Sequence, residues 1–261
     1  MAVFADLRAE GDALERLIAD VPEAGWAKAT PAPGWSVAHQ IAHLAWTDRA
    51  ALVSLTDADG FGRMVAEALA APERFVDEGA AEGAALGPGE LLSRWRGGRT
   101  ALDRALAAAS PDARFPWYGP PMKAASMASA RLMETWAHGQ DIADALAVRR
   151  APTDRLRHVA RIGVRARDYA FAVRGLPAPV GEFRVELTAP DGAGVWTYGP
   201  PDAPQRVTGP ALDFCLLVTQ RAHRADLAVL ARGADAEQWL DIAQAFAGPA
   251  GPGREPAGGP A

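Results

Sequence analysis

"PGWSVAHQIAHLAWTDRA", residues 33–50, leaves a chain breaker and settles into helical spacing. The preceding TPAPGW (30–35) is the breaker, and Ser36 is the expected N-cap of a helix running to about Thr56. On that helix His39 and His43 lie four residues apart, so both imidazoles share one face, one turn apart. A zinc-protease helix would read H-E-x-x-H, with the Glu as general base. Here Gln40 fills that slot, and an amide cannot take a proton. The stretch therefore reads as a protease helix without its base, as two unrelated histidines, or as half of a metal site completed elsewhere.

Working outward, the first 175 residues read as helices. Phe4, Leu7, Gly11, Leu14, Ile18 and Val21 keep one helical face. FGRMVAEALA and GPGELLSRWRGGRTALDRALAAA predict two further helical segments. SPDARFPWYGPPM (110–122) is a Pro- and aromatic-rich loop. A long helix follows through ASMASARLMETWAHGQDIADALAV, and another covers Asp154 to Val173. RGLPAPVG (174–181) reads as a linker. Beyond it, Phe183, Val185 and Leu187 alternate, Asp191-Gly192 turns the chain, and Val195 and Trp196 follow, a hairpin pattern. QRVTGP and LAVLARG read as strands; ALDFCLLVTQRAH and DAEQWLDIAQAF read as helices. The expected architecture is a helical bundle (1–175) followed by a small α+β domain (181–247), with a disordered Gly/Pro tail (248–261) that has nothing to bury.

At 261 residues, 49% hydrophobic and with net charge −5, the chain is long enough for two modest cores. Its thinly spread Lys and Arg argue against nucleic acid as main partner. No apolar run reaches membrane-spanning length, and charges interrupt the N-terminus before any signal-peptide core forms, so no membrane partner and cytoplasmic residence are the expectation. The single cysteine, Cys215, sits in the apolar run ALDFCLLV and reads as a core thiol rather than a nucleophile.

A second cluster of chemistry lies in METWAHGQD, where Glu134 precedes His138 by one helical turn. A histidine from a facing helix would complete a Glu/His/His set, and three protein ligands plus an open position mark a catalytic zinc-type site. Local spacing does not decide between His39 and His43 as the third vertex, nor between a metal site and a solvated Glu134–His138 pair.

PGWSVAHQIAHLAWTDRA resembles the helix-two signature of the DinB-like metal-binding bundles, and it is especially similar to the N-terminal domain of the mycothiol-dependent maleylpyruvate isomerase family: Gly-Trp-Ser/Thr, then His-Leu. ETWAHGQDIADAL matches the second element, Glu-x-x-x-His followed three on by an acidic residue. The resemblance implies a DinB-like four-helix-type bundle with His43, Glu134 and His138 as metal ligands, and a sterol-carrier-like α+β domain behind it. VTGPALDFCLLVTQR resembles that domain's Val-x-Gly-x-Ala-x-Asp-Leu run ending in Arg, which implies Arg221 as the basic residue facing the metal and gripping a carboxylate. The family carries Gly before this Arg, where this chain has Gln220.

Around these ligands, Asp141 is placed to accept the free N–H of His138 or to be a surface carboxylate. His39 is placed to orient substrate or to lie on the helix surface. Trp46, Trp117, Tyr118 and Met122 wall a pocket or belong to the core.

The function expected from the resemblance is a zinc-dependent isomerase or S-transferase. It would use a small thiol of the mycothiol type on a small electrophilic organic substrate, as monomer or homodimer. A metal-dependent hydrolase with Asp141 or Asp48 as base, and a non-enzymatic metal- or small-ligand-binding protein, are the alternatives.

Overall fold

The computed structural model describes residues 2–258. The chain divides after Arg150 into two compact units. In the first, α1 (Ala2–Ile18), the short α2 (Glu23–Trp26), α3 (Val37–Thr56), α4 (Ala58–Ala70), α5 (Phe75–Ala84) and α6 (Pro88–Ala108) precede strands β1 (Arg114–Phe115) and β2 (Met122–Lys123), and α7 (Ala124–Ala145) closes it. The four long helices α1, α3, α6 and α7 form the bundle, with α3 packed on α6 and α7 and α1 packed on the same two. The periodic face of α1 is the buried one: Phe4, Gly11, Leu14 and Ile18 all point inward. Leu14, Ile18, Ile41, Leu44, Trp95 and Ile142 form one core cluster, and Val3, Phe4, Ala51, Leu102, Leu106 and Met127 another. Each Val, Leu, Ile, Phe or Met among them is worth about 1.5–3 kcal/mol on full burial.

Helix α5 is not legible in FVDEGAAEGA, whose two glycines lower helix propensity. Their use is in packing. A Cβ at Gly83 would stand 2.7 Å from that of Ala42, and one at Gly79 would stand 3.1 Å from the Trp46 ring, so α5 lies close against α3. The aromatic loop before α7 is likewise more ordered than expected, because β1 and β2 pair Arg114 with Lys123 and Phe115 with Met122.

The second unit contains α8 (Leu156–Arg165), α9 (Arg167–Ala172), β3 (Phe183–Thr188), β4 (Val195–Tyr198), β5 (Gln205–Pro210), α10 (Ala211–Val218), a 3₁₀ turn (Arg224–Asp226), β6 (Leu230–Arg232) and α11 (Ala234–Ile242). The sheet order is β4-β3-β5-β6. β3 and β4 form the expected hairpin, β5 runs parallel to β3, and β6 is antiparallel to β5. Phe183, Val185 and Leu187 are buried, as their alternation predicts. The boundary, after Arg150, differs from the expected 174–181 linker. Residues 154–173 form two helices broken at Ala166, and both pack within the second unit, α8 on α10 and α9 on α11. A Cβ at Gly163 would come within 2.7 Å of Val218, so α8 lies close against α10.

The tail also departs from expectation over 248–258. Tyr169 Oη donates to the Gly248 carbonyl and accepts from its N–H, both at 2.9 Å, and Gln244 Nε2 donates to the carbonyls of Gly248 and Pro249. Ala257 N–H donates to Asp226 at 2.9 Å. The segment has little to bury, and backbone hydrogen bonds tie it down instead. Residues 259–261 of that expected tail lie outside the described residues.

Candidate metal centre

Helix α3 presents His43 and the facing helix α7 presents Glu134 and His138 one turn apart. His43 Nε2 lies 3.5 Å from Glu134 Oε2, and His138 Nε2 lies 3.2 Å from the same oxygen. One donor atom from each of the three falls within 4.8 Å of the others. Ligands at ~2.0–2.2 Å around a tetrahedral zinc stand about 3.3–3.6 Å apart. The observed spacing and the set of two imidazole nitrogens and one carboxylate oxygen therefore fit a divalent ion. Burial raises the cost of charge on Glu134, yet hydrogen bonds and charge from His138 and His43 together outweigh it and hold the carboxyl well below the usual carboxylate range.

The rings are fixed from outside as well. Trp35 stacks on His138 with centroids 5.9 Å apart at 19°, and it also stands 5.2 Å from His43. Its Nε1 donates to Asp77 on α5 at 2.9 Å. Gln40, fully buried, places Oε1 2.5 Å from His138 Nδ1, while its Nε2 donates to Thr30 Oγ1 at 2.8 Å. Neither Trp35 nor Gln40 stands out as a site residue in the sequence. The signal for Gln40 is its position in the H-x-x-x-H turn, where its type by itself shows only a missing Glu.

The other sequence candidates separate. His39 turns back on its own helix start: its Nδ1 accepts from the Ser36 N–H at 3.3 Å and lies 2.8 Å from Ser36 Oγ, completing a capping box. Trp46 stands 6.0 Å from His43 and begins a run of ring contacts through Phe75 (4.8 Å) to Tyr118 (5.7 Å) and Trp117 (5.3 Å). Tyr118 is pushed up to about 12 by burial and by the nearby charge of Glu67. Met122 pairs in the β1–β2 ladder.

Asp141 is fully buried, not a surface carboxylate. Asp48 is buried against Arg131 at 2.9 Å and so already has a partner charge. In the second unit, Arg221 is half-buried and donates from Nη1 to the Thr219 carbonyl at 2.6 Å. Gln220 before it takes φ +57°, and the bonds Gln220 N–H to Leu217 O and Arg221 N–H to Leu216 O close a Schellman turn. The left-handed turn that glycine would favour here is thus made with glutamine. Cys215 is buried, and burial pushes its thiol up, as its apolar surroundings predicted.

Comparison with known proteins bears on this arrangement. Residues 7–143 match the family model described as the mycothiol maleylpyruvate isomerase N-terminal domain, and residues 179–232 match one described as wyosine base formation. Uncharacterized proteins from two strains of Mycobacterium tuberculosis are 57% identical over 250 residues, covering 96% of this chain and 97% of theirs. Crystal structures of mycothiol-dependent maleylpyruvate isomerase, unmutated and as a mutant, share the fold with TM-score 0.58 at 19% identity, covering 88% of this chain and 91% of that one.

Proposed function

The chain belongs to the mycothiol maleylpyruvate isomerase N-terminal domain family, and from that premise we propose that it is a divalent-metal enzyme that adds a small cellular thiol of the mycothiol type to a small electrophilic substrate. The observation that carries this reading is the convergence of His43, Glu134 and His138 at ligand spacing. Zinc is the ion proposed, because two imidazoles and a carboxylate with a free position match its catalytic sites. When bound, the ion would supply a Lewis acid that favours thiolate over thiol.

The residues around it divide the remaining work. Glu134 stays ionised across the neutral range and contributes the negative charge. Trp35 covers the face of His138 and stands tilted against His43. Trp46 and Phe75 extend an apolar wall from His43 against which a substrate can lie. Arg221 is proposed as the group that grips a carboxylate of thiol or substrate. Cys215, buried and with its thiol held protonated, is unsuited as a nucleophile, which supports an external thiol. Asp48 is tied to Arg131, which removes one of the bases the hydrolytic alternative needs. Formation of a C–S bond, rotation and re-expulsion of the thiol would isomerise a substrate; retention of the bond would give an S-conjugate.

The test is metal analysis of the purified full-length protein, then calorimetry with a panel of small thiols on loaded and stripped protein. About one ion per chain and thiol binding that disappears on stripping are expected. Absence of metal-dependent thiol binding would turn the assignment toward hydrolysis or ligand carriage.

A further inference from the structure

We infer that Gln40 is a positioning residue that keeps the proton on Nδ1 of His138 and so leaves Nε2 as the ring atom that meets the ion; this rests on the metal reading above. A chain of forced hydrogen-bond choices starts at one backbone carbonyl. The Trp35 carbonyl can only accept, so the Thr30 hydroxyl, 2.8 Å away, donates to it. With its proton spent, Thr30 Oγ1 can only accept from Gln40, 2.8 Å away, which sets the NH₂ end of the amide toward Thr30. The carbonyl end is then the one 2.5 Å from His138 Nδ1, and a carbonyl oxygen requires a donor opposite it. Nδ1 therefore carries the proton, which leaves Nε2, 3.2 Å from Glu134 Oε2, as the ring nitrogen turned toward the other two ligands.

The amide cannot turn over without setting its oxygen against the spent Thr30 hydroxyl. Gln40 is fully buried, so no water offers an alternative partner cheaply. The breaker loop 30–35 thereby acts on α7 in two ways. Its Thr30 fixes the amide that orients His138, and its Trp35 stacks on the face of the same ring. His43 has no such amide. Among the described residues its Nδ1 has no hydrogen-bond partner, and it is bracketed by Trp35 and Trp46 instead. The two histidine ligands are thus held by different means: an amide oxygen at Nδ1 of His138, and a tryptophan ring on either side of His43.

The experiment combines ¹⁵N–¹H imidazole correlation spectra with zinc affinity by chelator competition, on full-length wild type, Gln40→Ala, Gln40→Glu, Thr30→Val and Thr30→Ser. In wild type, loaded or stripped, His138 is expected to show a protected Nδ1–H; in Gln40→Ala that proton should exchange rapidly. Zinc affinity should fall ~10–100-fold in Gln40→Ala and return in Gln40→Glu, whose carboxylate also accepts. Thr30→Val should lower affinity less than Gln40→Ala, and Thr30→Ser should match wild type. An unprotonated Nδ1 in wild type, or equal zinc affinity in Gln40→Ala and wild type, would overturn the inference. A wild type that takes up no zinc would sink the metal reading alone, because the Nδ1–H is read in stripped protein too.

Discussion

The two units bury different chemistry. Inside the bundle lie Glu10, Gln40, His43, Asp48, Arg131, Thr135 and Asp141; inside the second unit the buried polar residues are Thr219 and Gln244, beside an apolar core of Phe183, Val185, Phe214, Cys215 and Trp239. Burying a charge or amide costs free energy unless a partner is placed for it. The bundle meets that cost by pairing α3 with α7: Asp48 with Arg131, Gln40 with His138, His43 with Glu134. The second unit buries fewer such groups and no charged one among those named, and its Gln244 donates to backbone carbonyls. A helix pair lined with matched polar groups can hold a reactive site in place, whereas an apolar core supplies stability alone.

The largest expected effect breaks this contrast at its deepest charge. Arg131→Met leaves Asp48 buried without a partner and should cost about 3–5 kcal/mol in denaturant titrations. Adding Asp48→Leu should recover most of that loss, and an uncorrected double variant would mean that the pair is not the reason for the cost.

In the second unit the reverse substitution is informative. Cys215→Ser places a hydroxyl where a thiol only reaches the Leu156 carbonyl at 3.5 Å, and should cost about 1–3 kcal/mol. Cys215→Ala should cost less. If serine proves the milder change, the core is more polar than its lining suggests. The native thiol should also resist alkylation until the protein unfolds.

The site itself predicts an acid-side signature in metal-stripped protein. Because the folded carboxyl of Glu134 lies below its unfolded value of about 4.3, its contribution is full above that pH and is lost as pH falls through the folded value. Glu134→Gln should therefore differ from wild type at neutral pH and converge on it in acid. Parallel stability curves across that range would contradict the assignment.

The smallest effects compare two helix ends. Ala147 (φ +55°) after α7 and Gln220 (φ +57°) after α10 both close Schellman turns in a conformation that favours glycine. Ala147→Gly should stabilise by about 1 kcal/mol. Gln220→Gly should gain less, since it gives up the Nε2 bond to the Ala243 carbonyl at 3.3 Å. Equal gains, by thermal melting, would show that this bond contributes nothing.

What was legible without the structure is what one element decides by itself. The i,i+4 spacing of Glu134 and His138, the capped start of α3 at Ser36, the buried alternation of β3 and the apolar setting of Cys215 are local, and each stands as read. Packing decided the rest, because it depends on which surfaces meet. Resemblance pointed to His43 and spacing did not; the α3–α7 contact is what brings it, rather than His39, to Glu134. The glycines of α5 look like helix breakers until Ala42 and Trp46 lie against them, and α8 reads as part of the bundle until Val218 claims Gly163. Gln40 carries the clearest case. By type it is only a failed base, and its role exists because folding sets Thr30 at one end of its amide and His138 at the other.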